Sequence, residues 1–315
     1  MIIDVHTHIM TLEIMGKNYT AEKMVDGYRA ALDYLDFGPT DEMWNNMLES
    51  WKNIRLDELG AMFLQAKTAA GIDKSIVFHV DVASADTEMS FEEINKWFAD
   101  LARNNPDKII AFAGIDPARG EEGVKFLEKC VKEWGMKGLK LHPTAGEFYI
   151  NDRKIYPYYQ KADELGIPIL FHTGPGGPQK LAYSHPLLLD EVATDFPNLK
   201  VIIAHLQDPW LRECLSIVQW RPNVYMDISG GQTMYLVDPE RFYRIMKGIL
   251  RTSVRKRILF ATDTFSPIGW MLPDKEWIEV IRGIPDSKYA AHIPVAPGVI
   301  DDLLAGNALR LLGLD

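Results

Sequence analysis

Short apolar runs rich in valine and isoleucine recur along this chain and alternate with longer stretches whose apolar residues fall at helical spacing. The runs lie at residues 2–5, 75–80, 109–114, 138–142, 167–172, 200–205, 224–227 and 257–263. Helical spacing marks 56–70, 90–103, 120–134, 155–165, 186–195, 210–220, 239–250 and the tail 299–312. Gly71 and Gly166 stand where helix C-termini need a left-handed residue, and Pro168 sits near the start of its run, where a strand tolerates it. The runs are continuous rather than alternating, which indicates strands covered on both faces, hence a parallel sheet. Eight such strands, each followed by helical sequence, predict a (β/α)8 TIM barrel occupying 1–315 as one domain. An open doubly wound sheet is the runner-up. It would carry a glycine-rich phosphate turn after its first strand, and His6-Thr7-His8 stands there instead.

One stretch departs from this rhythm. Residues 11–56 are polar and aromatic, with Tyr19, Tyr28, Tyr34, Trp44 and Trp51, and have helical patterning near 20–35 and 40–52. A connection this long reads either as a lid over the first strand or as an embellishment packed on the barrel's side.

Composition changes little. At 315 residues with 47% hydrophobic and 25% charged, the chain can build a sizeable core. A net charge of −10 with no basic stripe argues against a nucleic-acid partner. The cluster from Arg251 to Arg257 reads as a solvated helix end or loop. Cys130 and Cys214, both in helical sequence, read as free thiols of a reducing compartment. No stretch has the length of a membrane span, and a removable leader is not expected where the first strand carries chemistry. The expectation is a cytoplasmic protein with a small-molecule partner and no membrane association.

The chemistry gathers at strand ends. His6 and His8 alternate onto one face of the first strand. His142, His172, His205 and Asp263 end the fourth, fifth, sixth and eighth strands. In a barrel those ends point into one shared site, so imidazoles and a carboxylate would converge there, a donor set suited to zinc and similar ions. Asp4 would face the same way as His6, one layer deeper, and could orient a ligand. Lys140 shares a face with His142; His79 ends the second strand and reads as structural. His185 and His292 read as surface residues. The loop 173–178 is a tight turn or lets backbone approach a substrate. Asp208 and Asp227 are rim residues without a role. Arg55 reads as a solvated residue preceding a helix, or as a partner for a substrate carboxylate.

These residues fall in motifs. Asp4-x-His6-x-His8, Lys140-x-His142-Pro143, Phe171-His172-Thr173-Gly174, Ala204-His205, Ala261-Thr262-Asp263 and Gly306-Asn307-Ala308-x-x-Leu311-Leu312 together resemble the amidohydrolase superfamily. The similarity is to its amidohydrolase-related branch, which includes aminocarboxymuconate-semialdehyde decarboxylase, and it is weakest over 10–56. The resemblance implies His6, His8, His172 and Asp263 as ligands of one divalent ion, zinc or manganese, with His205 and Asp263 as catalytic residues. It leaves open whether His142 and Lys140 bind substrate, whether His142 is a hydrogen-bonded core residue, and whether Lys140 is carboxylated between two metals or paired with a buried acid. It also implies a homo-oligomer.

The leading expectation is a metal-dependent hydrolase, in which activated water attacks an amide, lactone or ester carbonyl. The alternative is non-oxidative decarboxylation of a small carboxylic acid in the same cage. Isomerase or hydratase chemistry is a smaller alternative, and a metal-free lactonase or a non-catalytic binding barrel stands behind these.

Overall fold

The computed structural model of the chain describes all residues except 18, 33–39, 175–179, 207–208, 267–271 and 315. Asp208 and most of the 173–178 loop therefore lie outside the described residues.

Strand one, Ile3–Ile9, pairs in parallel with Lys74–Phe78 on one side and with Thr264–Ser266 on the other. Lys74–Phe78 pairs with Ile109–Ala111, whose continuation Ala113–Gly114 pairs with Leu139–Leu141. The ladder then runs through Ile169–Phe171, Val201–Ile203 and Val224–Asp227 to Ile258–Leu259. Ile258–Leu259 and Thr264–Ser266 are the two ends of the eighth strand. Between them the ring is sealed by Val5 N–H donating to the Phe260 carbonyl at 3.1 Å and Asp263 N–H to the His6 carbonyl at 2.8 Å. The expected (β/α)8 barrel is therefore closed, and the open sheet is excluded.

Strand one carries a bulge. Asp4 pairs opposite Ser75 and Thr7 opposite Val77, so three residue steps on one strand face two on the other. One extra residue reverses the alternation of side chains. Ile3 and Val5 fill the barrel interior with Ile76, Phe78, Ile110 and Leu170. After the bulge, His6 and His8 face inward too, both against the Phe78 ring. Asp4 is left on the opposite side and bonds Lys67 of the helix Leu56–Ala70 at 2.8 Å. The expectation that Asp4 orients a ligand ring is thus overturned, because strict alternation does not hold across residues 4–7.

The ordered ladders are shorter than the apolar runs. His79, His142, His172 and His205 lie one or two residues beyond their strands. Helix ends follow local chemistry: Ser90 and Glu93 form a reciprocal capping box on Phe91–Asn104, and Gly166 closes Tyr156–Leu165 at φ 67°. Gly114 is required by close approach, since a Cβ there would lie 2.0 Å from the His79 carbonyl oxygen. Two helices absent from the sequence reading follow the seventh and eighth strands, Gly231–Val237 and Asp274–Arg282. The C-terminal helix is interrupted by a π turn, Asp302–Gly306, within which the Leu303 carbonyl accepts Phe260 N–H. In the insertion, helices Ala21–Leu32 and Asp41–Asn53 bury Ala21, Val25, Trp44 and Trp51 against Met10. Among the described residues no helix is long and apolar enough to cross a membrane.

Candidate metal centre

Seven sequence-selected side chains meet at the C-terminal mouth of the barrel. His6 Nε2 lies 3.2 Å from His8 Nε2 and 3.3 Å from Asp263 Oδ1, and His8 Nε2 lies 3.2 Å from the same oxygen. His205 joins His6 and Asp263 in a set whose potential ligand atoms all lie within 4.8 Å of one another. His172 is not in that tightest set; its Nδ1 lies 3.0 Å from His205 Nε2, and its ring stacks on His142 at 3.9 Å. Lys140 Nζ donates to His6 Nε2 at 3.1 Å and stands over the Phe78 ring. The acid pairing considered for Lys140 is not its hydrogen bond here.

Backbone strain helps aim these groups. His205 has φ 77° and Asp263 φ 53°, left-handed values uncommon outside glycine. Asp263 is flanked by Thr262 and Thr264, both tied into a buried network. Lys67 Nζ donates to Asp4 at 2.8 Å, to Thr262 Oγ1 at 3.0 Å and to Asp274 at 2.7 Å. Thr262 donates to Asp4, and Thr264 Oγ1 to Asp274 at 2.6 Å.

Electrostatics fit a cation. Burial pulls His6, His8, His172 and His205 well below the ordinary imidazole value, so the rings are neutral, the form that ligates. Burial pushes the Asp263 carboxyl well above the carboxylate range, a cost that a cation beside it would offset. Burial likewise draws the Lys140 ammonium down to about 7 and His142 to about 3. Among the described residues, the buried His172 Nε2 has no hydrogen-bond partner. A neutral ring with such a nitrogen at the site has the chemistry of a metal ligand. The donor set of neutral imidazoles and one carboxylate therefore fits a divalent first-row ion.

Asp227, to which the sequence assigned nothing, is the hub of this site. Its carboxylate accepts His6 Nδ1 at 2.9 Å, His205 N–H at 3.0 Å, and both N–H and Oγ–H of Ser229. The signal available in sequence was its place at the end of the seventh strand, between neighbours that end in His205 and Asp263. The remaining candidates stay outside. His79 is buried beside the strand ends, His185 packs against Trp210, and His292 is exposed. Arg55 precedes its helix and pairs with Glu13 at 3.2 Å. Cys130 and Cys214 are free and buried.

Comparison with known proteins adds an independent line. A family model described as Amidohydrolase matches residues 3–314. A 2-amino-3-carboxymuconate-6-semialdehyde decarboxylase of Dictyostelium discoideum is 21% identical, covering 99% of this chain and 92% of its own. Among solved structures, an uncharacterized TIM-barrel protein from Bordetella bronchiseptica superposes with a TM-score of 0.70 at 25% identity, covering 99% of this chain and 98% of the other. A dihydroxybenzoic acid decarboxylase from a Polaromonas species, solved with manganese and the inhibitor 2-nitroresorcinol, superposes with a TM-score of 0.63 at 19% identity, covering 99% of this chain and 97% of the other. The barrel, the clustered histidines at its mouth and a family match spanning nearly every residue lead to one conclusion: the chain belongs to the amidohydrolase family.

Proposed function

We propose that this chain is a metal-dependent, non-oxidative decarboxylase of a small carboxylic acid, acting at a site held by His6, His8, His172 and Asp263. The observation that carries the reading is the convergence of His6, His8 and Asp263 within 3.3 Å beside a buried lysine. That cage would serve hydrolysis as well. The named activity of the full-length relative, and of a manganese-containing neighbour, favours carboxy-lyase chemistry over the hydrolysis expected first. A divalent ion bound there, manganese or zinc, would hold the substrate's carboxylate or a neighbouring oxygen and draw electron density from the bond to be broken.

The chain's own groups have separable tasks. Two donors, Thr144 Oγ1 at 3.0 Å and Ala145 N–H at 3.2 Å, converge on His142 Nδ1, so its proton sits on Nε2. His142 thereby offers a neutral donor to a substrate oxygen. Lys140 supplies positive charge or a further donor beside it. When the carboxylate leaves as carbon dioxide, its electron pair stays on carbon and must take up a proton. Asp263 is the group placed to hold and deliver that proton, with His205, its Nδ1 3.8 Å from Asp263 Oδ2, beside it. The balance is one acid anion and one proton giving one C–H bond and carbon dioxide, with no oxidant. The insertion 11–56, its small core joined to Met10 just past His8, would close the mouth and exclude water.

A panel of phenolic, β-keto and unsaturated amino acids, assayed with manganese, tests this. Stoichiometric carbon dioxide release from one class is expected, without titratable acid from esters, lactones or amides. Hydrolysis of those carbonyls with no carbon dioxide from any acid would overturn the proposal in favour of a hydrolase.

A further inference from the structure

The hydrogen-bond partners around Asp227 determine more than its own position. A serine hydroxyl has one hydrogen. Ser229 Oγ gives it to Asp227 Oδ1 at 2.5 Å, so towards His205 Nδ1, 2.8 Å away, it can only accept. His205 Nδ1 therefore carries that ring's proton, and its Nε2 carries a lone pair. Across the 3.0 Å contact, His172 Nδ1 must then donate to His205 Nε2. The proton of His172 is thus committed to Nδ1, and the lone pair falls on Nε2, the buried atom that has no partner among the described residues. On the other side, His6 Nδ1 donates to Asp227 Oδ2 at 2.9 Å, which leaves the lone pair on the Nε2 beside His8 and Asp263.

We infer that Asp227 and Ser229 are positioning residues that fix the tautomers of three histidines at once: His6 directly, His205 through the serine hydroxyl, and His172 through His205. One carboxylate on the seventh strand thereby presents the metal-binding nitrogens of strands one and five. The chain of donors has a single alternative. If the serine hydrogen turned to His205 Nδ1, the proton of His205 would move to Nε2, and His172 would have to carry its own on Nε2, blocking that ligand. Asp227 would lose a charge-assisted hydrogen bond in that state. The present arrangement is therefore held by a charge-assisted hydrogen bond, and it couples the proposed ligands of strands one and five. This inference rests on the proposed cation site and is independent of whether the substrate is decarboxylated.

The test is side-chain nitrogen NMR of protein carrying 15N-histidine, with eight histidines in all, measured without metal. In the wild-type protein His6, His172 and His205 are expected as Nδ1–H tautomers, each with a pyridine-type Nε2. Ser229→Ala removes the hydroxyl and should shift His205 and His172 towards mixed tautomers while leaving His6 unchanged. Ser229→Thr, which keeps the hydroxyl, should restore the wild-type pattern. Manganese binding, followed by electron paramagnetic resonance, should weaken by about 10–100-fold in Asp227→Asn, the range outer partners of ligands command, and less in Ser229→Ala. A proton on His205 Nε2 in the wild-type protein overturns the inference without any variant. So does a Ser229→Ala protein with unchanged tautomers and manganese affinity. Failure of the carbon dioxide assay would count against the proposed reaction alone.

Discussion

Replacing His172 by alanine, or Asp263 by asparagine, is expected to lower turnover by more than ~10²-fold, the upper end of what even an outer partner of a ligand contributes, while leaving a folded barrel. His172 lies beyond the strand Ile169–Phe171, so its ring is not part of the ladder that closes the ring of strands. Asp263 holds a left-handed backbone at φ 53°, which asparagine also adopts readily. The substitution removes a carboxyl that burial already disfavours in its charged form, so stability should be unchanged or slightly raised. The combination of lost turnover with retained stability is the signature of a residue kept for chemistry. Far-ultraviolet circular dichroism and urea unfolding report the fold, and the carbon dioxide assay reports turnover. Undiminished turnover in either variant would discard the ligand assignment.

The opposite pattern is expected one layer below. Lys67→Met should destabilise the protein by about 3–5 kcal/mol, the range for breaking a buried ion pair by removing one partner. Lys67 is 4% exposed and lies between the carboxylates of Asp4 and Asp274, at 2.8 and 2.7 Å. Its loss would leave two acids facing each other without a cation, a larger penalty than the lost attraction alone. Adding Asp4→Asn to Lys67→Met should recover part of the loss, because residues within one network do not contribute additively. Urea denaturation of the single and double variants measures this. A loss below about 1 kcal/mol, the scale of an exposed pair, would show that the network is not the buried lock described here. Because Thr262 and Thr264 belong to the same network, the lock bears directly on the strained residue between them.

Much of this architecture was legible from the chain. Apolar runs at regular intervals gave the ring of strands, and the helical spacing over 56–70 coincides with the helix Leu56–Ala70. The histidines were found because imidazoles at strand ends have no packing reason to be there. What escaped the sequence depends on tertiary structure. The bulge between Asp4 and Thr7 carries no residue signature, so alternation assigned Asp4 to the wrong face. Lys67 looks like any solvated lysine of an amphipathic helix until the eighth strand brings Thr262 to it and the helix Asp274–Arg282 brings Asp274. Asp227 was passed over because it is an acid among histidines, and its role appears only when the sixth, first and seventh strands meet. The positive φ of His205 and Asp263 is equally hard to read in sequence, since histidine and aspartate are enriched there but most of them elsewhere in a chain are not left-handed. The helices Gly231–Val237 and Asp274–Arg282 lie where the strand–helix rhythm had already been satisfied, so nothing demanded them.

The central claim is that one cation sits at the barrel mouth, and anomalous diffraction from crystals grown with manganese tests it most directly. The account predicts a single strong peak enclosed by His6 Nε2, His8 Nε2, His172 Nε2 and Asp263, with one ion per chain by elemental analysis. A peak elsewhere, or none at this site in manganese-saturated crystals, would contradict it.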